Sequence, residues 1–455
     1  MSFPRYPAYK DSGVKWLGEV PAHWEVRPLK YEVRMRSGGT PSRTNLDYWN
    51  GDVPWASSKD LKRDTLADTK DHITQRAVHE GAAELVPAGA VLIVVRGMIL
   101  AHTFPVAKTT TQLAINQDLK ALSTRNALSP NFLAWLLRGA SRETLSRVDE
   151  AGHGTKVLRI ESWTSMPIVV PPLAEQCLIT AFLDRETAKI DALVAEQRRL
   201  MDLLAEKRQA VISVAVSKGL NSCTPMKPSG TGWMGDIPAH WRAVSLGRVT
   251  LSRCDGPFGS GLKSMHYEAS GVRVIRLQNI RRDGFDDSDE AYIDCDYYAQ
   301  SLGGHDVIEG DVLLAGLGDE NNTVGRACVA PCGIEPAMVK ADCFRFRLNV
   351  SQVLADFAAA QLSAGSTADA GRLASGSTRS RISLSAMATR RIAIPPVAEQ
   401  RAILEYLHFE SSRFEVLTAE ARRAIELLRE RRAALISAAV TGQIDVRETF
   451  DETPS

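Results

Sequence analysis

The sequence predicts an α+β fold in which two mixed α/β domains are joined by two long helices, which pair as an intramolecular antiparallel coiled coil with pseudo-twofold symmetry. Two observations predict this fold. The segments that flank each domain occur twice in the chain, and each copy closes with a long stretch that contains neither Gly nor Pro. A segment repeat indicates a duplicated architecture, and an uninterrupted stretch with heptad spacing indicates a long packed helix.

Three segments return in the same order further along the chain. They are Trp16–Trp24 and Trp233–Trp241, Pro171–Gln176 and Pro395–Gln400, and Leu204–Val216 and Leu428–Val440. Between them, residues 25–170 and 242–394 share little sequence. A repeated frame with different contents predicts one scaffold that presents two different recognition surfaces. The alternative is a duplication whose halves have simply drifted apart.

The repeats also divide the chain. We predict a first α/β domain, a first long helix, a second α/β domain, a second long helix and a C-terminal tail, over residues 1–170, 171–220, 221–394, 395–445 and 446–455 respectively.

Each long helix follows a Pro-Pro pair and precedes a glycine. Pro172 and Pro396 suit a first helical turn, and Gly219 and Gly442 suit helix ends. A helix of about 43 residues would be about 64 Å long, too long to pack inside one domain. We therefore expect it to pack lengthwise on the other copy in the same chain. The alternatives are pairing between chains, or each helix folding back on its own domain.

Apolar spacing gives the predicted register of the helix pair. Positions seven apart, and a second line three residues further on, form a mostly apolar seam. The predicted seam residues are Leu183, Ile190, Leu193, Leu200, Leu204, Val211, Leu407, Phe414, Leu417, Leu428 and Leu435.

The two α/β domains show matching elements. Runs rich in β-branched residues predict strands, and stretches opened by a capping residue predict helices. The predicted strands are 53–56, 90–95, 272–277 and 311–314, and the predicted helices are 130–138, with Ser129 as its cap, and 353–362.

Each domain carries a basic loop shortly before its last strand, at 152–156 and at 376–381. Backbone N–H groups, hydroxyls and cationic side chains together are what phosphates and base edges require, although plain turns have a similar composition. The predicted DNA-binding residues, taken from these loops and from the ends of strands, are Lys59, Arg96, Thr155, Lys156, Arg276, Gln278, Asn279, Thr378, Arg379 and Arg381.

The composition of the chain neither requires nor excludes a DNA-binding function. The chain has 55 Lys and Arg against 54 Asp and Glu, a net charge of +1, so any DNA contact must come from local charge. The seven cysteines are dispersed and complete no metal set, so we predict reduced thiols and no metal. No apolar run is long enough for a membrane span and no secretory signal is apparent, which predicts a cytoplasmic protein without a membrane partner.

Motifs of catalysis are missing from the sequence. Gly256–Ser264 resembles a phosphate-binding loop, but Leu262 separates the last Gly from Lys263, where the motif requires adjacency. The Pro-Pro pairs follow Val170 and Ile394, which cannot serve amino-methyltransferase chemistry. His23 and His240 lie beside Pro and Trp, which favours packing over catalysis. We expect no catalytic residue in this chain.

The layout resembles the specificity-subunit (HsdS) family of type I restriction-modification systems. The features that carry the resemblance are the two Trp-x-Gly-x-x-Pro-x-x-Trp segments, the two Pro-Pro-x-x-Glu-Gln segments, the two basic helix ends and the Asp255–Ser260 segment. Each motif alone is unspecific, but the combination spans nearly the whole chain.

This resemblance implies two target-recognition domains, each reading one half of a bipartite asymmetric DNA target, with the helices as spacer. It implies two methyltransferase (modification) subunits and two restriction (translocase-nuclease) subunits as partners. Those partners would methylate adenine and cleave DNA with S-adenosylmethionine, ATP and Mg, none of which this chain would bind itself. The alternatives are a coiled-coil scaffold that binds proteins without DNA specificity, and an enzyme of a type these motifs do not reveal.

Overall fold

The structure is a computed structural model that describes residues 3–151, 154–258, 261–319, 321–370, 373–374 and 380–447. Its contacts divide the chain into two compact units. Unit 1 comprises the described residues of 1–197 and 422–455, and unit 2 comprises those of 198–421. Each unit therefore combines one α/β segment with a part of both long helices.

Unit 1 is built on two sheets. Its strands are β1 (Tyr9–Asp11), β2 (Glu19–Pro21), β3 (Glu25–Pro28), β4 (Val33–Ser37), β5 (Trp49–Ala56), β6 (Thr65–Leu66), β7 (Asp71–Ile73), β8 (Leu85–Val86), β9 (Val91–Val94), β10 (Val106–Thr109), β11 (Leu113–Ile115), β12 (Leu119–Thr124), β13 (Val148–Glu150), β14 (Lys156–Leu158) and β15 (Pro167–Val170). The strand orders are β4-β12-β9-β10-β6 and β7-β5-β11-β8, and the pairs β1-β2, β13-β14 and β15-β3 lie outside these sheets. The helices are α1 (Leu29–Glu32), α2 (Gln75–His79), α3 (Pro130–Gly139), α4 (Ser141–Leu145), α5 (Ile160–Thr164) and the first part of α6 (Leu173–Lys218).

Unit 2 repeats this plan. Its strands are β16 (Met226–Pro228), β17 (Asp236–Pro238), β18 (Arg242–Ser245), β19 (Thr250–Cys254), β20 (Tyr267–Glu268), β21 (Val272–Ile275), β22 (Ile280–Arg281), β23 (Gly284–Phe285), β24 (Tyr292–Ile293), β25 (Asp306–Val307), β26 (Val312–Ala315), β27 (Ala327–Val329), β28 (Ala337–Val339), β29 (Cys343–Leu348) and β30 (Arg391–Ile394). The strand orders are β19-β29-β26-β27 and β20-β24-β21-β28-β25, with the pairs β16-β17, β18-β30 and β22-β23. The helices are α7 (Cys295–Ser301), α8 (Ala355–Ala364), α9 (Leu384–Thr389) and the first part of α10 (Val397–Val440).

The two units share a topology even where their sequences differ. The order β4-β12-β9-β10 matches β19-β29-β26-β27, and the order β7-β5-β11-β8 matches β24-β21-β28-β25. The predicted strands and helices inside both segments are confirmed, including the cap at Ser129, whose Oγ accepts a hydrogen bond from the backbone N–H of Phe132 at 3.1 Å. The mixed α/β fold with two long helices is thus confirmed.

The repeated Pro-Pro-x-x-Glu-Gln segments fix the start of each long helix. The side chain of Gln176 accepts from the N–H of Ser129 at 2.8 Å and donates to the carbonyls of Ala127 and Pro171. Gln400 accepts from Leu354 at 2.8 Å and donates to the carbonyls of Gln352 and Pro395. Both glutamines are fully buried, and these bonds satisfy backbone groups that would otherwise be costly to bury.

Within each unit the two long helices run antiparallel. In unit 1, Arg432 Nε lies 3.1 Å from Asp191, while a Cβ on Gly442 would lie 3.0 Å from Trp24, the residue that bonds to Glu175. Residues later in α6 therefore contact residues earlier in α10, as antiparallel helices do. In unit 2, Arg208 lies 3.5 Å from Glu415, and a Cβ on Gly219 would lie 3.3 Å from Glu399.

One of the two predicted lines of the seam needs a correction. Leu183, Ile190, Leu204, Leu407 and Phe414 are buried. Val211, Leu428 and Leu435 are half-buried. By contrast Leu193, Leu200 and Leu417 are exposed by 51%, 43% and 45%, so the prediction that they form the seam is wrong.

The second inward line lies four residues after the first, not three. In α6 it contains Thr187, Val194, Met201 and Arg208, and in α10 it contains Ser411, Thr418, Ile425 and Arg432, all of which are buried or half-buried. Several of these residues are polar, so an apolar pattern could not reveal them. The threonines bond to their own helix, as in the 2.6 Å bond from Thr187 Oγ1 to the carbonyl of Leu183.

Candidate nucleic-acid interface

The described part of the basic loop of unit 1, residues 154–156, is joined to the end of a central strand, and residues 152–153 lie outside the described residues. Arg96, two residues after β9, forms an antiparallel bridge with Val157. The N–H of Gly97 donates to the carbonyl of Lys156 at 3.0 Å, and the N–H of Leu158 donates to that of Val95 at 2.9 Å. The structure therefore brings Arg96, Thr155 and Lys156 together.

Unit 2 repeats this arrangement with other side chains. Leu317, two residues after β26, forms the equivalent bridge with Arg381. The N–H of Gly318 donates to Ser380 and that of Ile382 to Gly316, both at 2.9 Å. Thr378 and Arg379, which were also predicted to bind DNA, lie outside the described residues.

The other predicted residues follow a strand of the second sheet, β5 in unit 1 and β21 in unit 2, and this strand ends near the same edge. In unit 1 the turn at 116–118 is hydrogen-bonded to the ends of both β5 and β9. The N–H of Asn116 donates to the carbonyl of Ala56, and the N–H of Val95 donates to the carbonyl of Asp118. Lys59 lies three residues beyond β5 and is exposed. In unit 2 the turn at 340–342 plays the same part, with Lys340 donating to Ile275 and Gly316 donating to Asp342. Residues 276–279 begin at this edge.

The cationic residues predicted to bind DNA at this edge differ in whether they form ion pairs within the protein. Arg96 and Lys59 are exposed and make no ion pair with any described residue. Lys156 is tied to Glu150 at 2.7 Å. Arg276 pairs with Asp289, and its buried Nε has no hydrogen-bond partner in the described part of the chain. Lys156 and Arg276 would have to exchange a carboxylate for a phosphate in order to contact DNA.

The prediction for Asn279 is wrong. This side chain is fully buried. It accepts from the N–H of Arg276 at 2.8 Å and donates to the carbonyls of Asp286 and Asp289 at 2.9 and 2.8 Å. Asn279 therefore holds the turn after β21, a role for which its short amide side chain is well suited. Gln278, its neighbour, is exposed.

Sequence reasoning missed a groove beside Gln278. The groove has a volume of about 280 Å³ and is lined by Gln278, Arg281, Leu317, Asn322 and other residues of the same edge. Arg281 donates to Asp286 and to Asn322, both at 3.2 Å. No spacing in the sequence places Asn322 beside Arg281, so this pair could not be found without the fold.

Aromatic residues beside arginines were also missed. In unit 1 the guanidinium of Arg43 lies over the ring of Trp49 at 4.0 Å and pairs with Asp71 at 3.3 Å. In unit 2 the guanidinium of Arg381 lies 5.2 Å from the ring centre of Phe258. Arginine stacked on an aromatic ring is common where proteins hold nucleic acid.

Of the Asp255–Ser260 segment, residues 255–258 are described, and Asp255 and Gly256 pack against this edge, while 259–260 lie outside the described residues. A Cβ on Gly256 would lie 2.1 Å from the backbone of Lys340, so only glycine fits there. Burial raises the pKa of the neighbouring Asp255 carboxyl to about 6, although the N–H groups of Gly256 and Asp342 donate to it. Asp255 and Gly256 thus contact and support the backbone of residues 340–342.

The described residues contain no group of three or more His, Cys, Asp or Glu side chains placed to hold a metal ion. Across the same part of the chain, no helix combines the length and apolar character that crossing a bilayer requires.

Comparisons with known proteins agree on one family. Residues 21–199 match the family described as "Type I restriction modification DNA specificity domain". The chain is 29% identical over 181 residues to the type I restriction enzyme EcoR124I/EcoR124II specificity subunit of Escherichia coli, a match that covers 39% of this chain and 42% of that one. It is 24% identical over 272 residues to the type I restriction enzyme MjaIX specificity subunit of Methanocaldococcus jannaschii, covering 58% and 60%. The matches thus span 42% and 60% of the lengths of these two relatives.

Solved structures share the fold over nearly the whole chain. The crystal structure of the HsdS subunit from Thermoanaerobacter tengcongensis aligns with a TM-score of 0.51 and 16% identity, covering 95% of this chain and 99% of that one. A chain from a study of complex assembly and conformational transition of the type I R-M system aligns with a TM-score of 0.62 and 18% identity, covering 92% and 98%.

Proposed function

We infer that this chain, which belongs to the specificity-subunit family of type I restriction-modification systems, reads DNA for such a complex. Each unit would contact one half of a bipartite, asymmetric target. The observation that carries this proposal is the repeated edge, where the same backbone bridges join Arg96 to Val157 in one unit and Leu317 to Arg381 in the other.

The same bridges hold different side chains in the two units. Arg96 is matched by Leu317, and Val157 is matched by Arg381. A base edge is recognised by the donors, acceptors and methyl groups that meet it, so exchanging cationic and apolar side chains changes the sequence that can be read. An asymmetric target requires two readers with different side chains, and the two units carry such side chains at equivalent positions of one topology. Lys59, Lys156, Gln278 and Arg276 would add contacts to phosphates or bases, as would Thr155 and the undescribed Thr378 and Arg379.

Catalysis would lie with the partners. The proposal assigns adenine methylation to methyltransferase subunits, with S-adenosylmethionine, and cleavage to restriction subunits, with ATP and Mg. This chain would contribute the choice of site. With a net charge of +1, it would also share the grip on phosphates with those partners.

The exposed faces of the long helices support partner binding. In unit 2, large apolar side chains of α6 and α10 point to solvent, namely Leu200, Leu203, Tyr406, Phe409, Val416 and Leu417. Such residues are able to contribute to a surface that another protein covers. A coiled-coil scaffold without DNA specificity would also use such a face, and is the second candidate.

Equivalent grooves support two copies of each partner. In unit 1 a groove of about 340 Å³ lies against α3 and α6, and its Asp191 pairs with Arg432. In unit 2 a groove of about 460 Å³ lies against α8 and α10, and it contains the pair of Arg208 and Glu415. The residues of these two ion pairs are related by the repeat of the chain, which supports an equivalent partner contact in each unit.

The experiment is a gel shift and a methyl-transfer assay on duplex DNA, with the purified chain, a partner methyltransferase subunit, or both. The mixture should bind a subset of sequences and transfer labelled methyl groups to adenine, while the chain alone should transfer none. Methyl transfer by the chain alone would contradict its non-catalytic role. A mixture that assembles but ignores DNA sequence would favour the scaffold.

A further inference from the structure

Arg381 is held from three sides at the edge of unit 2. Its Nε donates to Asp342 Oδ1 at 2.8 Å, its Cζ lies over the ring of Phe258 at 5.2 Å from the ring centre, and its backbone is bridged to Leu317. Asp342 is itself fixed, because its N–H donates to Asp255 at 3.0 Å. These contacts orient a side chain that is normally flexible.

The outer end of this guanidinium points away from its hydrogen-bond partner Asp342. Nη1 and Nη2 of Arg381 have no hydrogen-bond partner among the described residues, and half of the side chain is exposed. Neighbouring arginines differ in this respect. Arg281 donates through both Nε and Nη1, and Arg273 places Nη1 2.7 Å from Asp287.

An oriented guanidinium with a free end offers two parallel donors. In the major groove, the O6 and N7 of guanine are the two acceptors that match this fork, and no other base presents such a pair. We propose that Arg381 reads a guanine in the half-site bound by unit 2, with Asp342 as its positioning residue. This inference rests on the proposed function.

The first unit offers a contrast. Val157 occupies the bridge position equivalent to Arg381 and carries methyl groups without any donor. We therefore expect Val157 itself to contact no guanine acceptor, so that at this bridge in unit 1 any donor comes from Arg96 on the opposite strand. This difference gives the two half-sites distinct sequences at one defined place.

The test is selection from randomised duplex DNA by the full chain with its methyltransferase partner, followed by sequencing. Wild type is compared with Arg381→Ala, Arg381→Lys and Asp342→Asn. Asparagine tolerates the positive φ of 65° at position 342, so the last variant should fold. The matched control is Arg401→Ala, which removes an exposed charge from α10 of the same unit.

Wild type should select an invariant guanine at one position of one half-site. Arg381→Ala should lose that preference, roughly 5- to 150-fold, at this position only. Arg381→Lys should keep the salt dependence of binding but lose the preference, because an ammonium is a point charge. Asp342→Asn should weaken the preference at the same position, and Arg401→Ala should select the wild-type sequence.

Chemical substitution in the DNA gives a second readout. Replacing the selected guanine with 7-deazaguanine removes the N7 acceptor, which should weaken wild-type binding and leave Arg381→Ala unaffected. If wild type and Arg381→Ala select the same bipartite sequence, the assignment of guanine to Arg381 is wrong, while the proposed function still stands. If wild type selects no sequence at all, the proposed function fails, and this inference with it.

Discussion

Trp24 donates a hydrogen bond from its indole Nε1 to the carboxylate of Glu175 at 3.0 Å, and the repeat places Trp241 against Glu399 at 3.1 Å. His23 and His240 contact the same carboxylates at 2.6 and 2.7 Å. Two motifs that are about 150 residues apart in each half, Pro-Ala-His-Trp and Pro-Pro-x-Ala-Glu-Gln, are thus one structural clamp. The expectation that the histidines pack beside tryptophan agrees with these contacts.

Breaking this clamp should destabilise unit 1. Glu175→Ala would leave the indole N–H of the fully buried Trp24 without its acceptor, at a cost of about 1–3 kcal/mol. Glu196→Ala, an exposed glutamate on the same helix, is the control. Urea unfolding followed by tryptophan fluorescence should give a lower midpoint for Glu175→Ala alone. Equal midpoints for the two variants would show that the clamp carries no stability.

The corrected seam predicts that Asp substitutions at two leucines of the same helix will differ in their effect on stability. Leu204 is 9% exposed and Leu200 is 43% exposed, and both lie on α6 one turn apart. Leu204→Asp should bury an unpaired carboxylate and lower stability by at least about 2 kcal/mol, whereas Leu200→Asp should have a small effect. Thermal melts by circular dichroism compare them. A larger loss for Leu200→Asp would restore the register that the apolar pattern suggested.

The fold could be predicted from the sequence where the pattern reports burial directly. The anchor tryptophans Trp24 and Trp241, most apolar residues of the strand runs, and the line through Leu183, Ile190 and Leu204 are buried. The second line could not be predicted, because Arg208 and Arg432 face inward with carboxylate partners while Leu193 and Leu417 face solvent. Apolar spacing cannot detect a polar side chain whose partner is far away in sequence.

The candidate site could be predicted only as far as loop composition allows. The described ends of the two basic loops, residues 154–156 and 380–381, do lie at equivalent edges, but Asn279 faces inward because a turn needs its amide. The stacking of Arg43 on Trp49 and of Arg381 on Phe258 depends on how separate segments meet in space. Composition identifies which residues are able to contact DNA, and the fold decides which of them are exposed.

Lys156 should contribute to DNA affinity through charge. Lys156→Ala should weaken binding equally for all sequences and reduce the slope of log affinity against log salt by about one, if this ammonium exchanges Glu150 for a phosphate. Lys189→Ala is the control, since Lys189 pairs with Glu186 on the exposed face of α6. Fluorescence anisotropy over a salt series measures both. An unchanged slope for Lys156→Ala would exclude this lysine from the phosphate contacts.

The helices should set the gap between half-sites. Inserting one heptad after Gln197 and one after Ala421, where the two units divide, keeps the seam in register. Each helix lengthens by about 10 Å. At about 3.4 Å per base pair, the gap should widen by about three base pairs. Because three base pairs turn the DNA by nearly a third of its helical repeat of about 10.5 base pairs, affinity should also fall. Methylation-site mapping reads the gap directly, and a changed half-site sequence at a constant gap would contradict the role of a spacer.

The most direct measurement is methylation-site mapping in cells that carry this chain with its methyltransferase partner, before and after residues 25–170 are exchanged for the corresponding segment of a relative. Two independent readers on one scaffold predict a bipartite methylated sequence in which the exchange replaces one half-site and leaves the other half-site and the gap unchanged. An exchange that alters both half-sites, or methylation that ignores the exchange, would contradict this function.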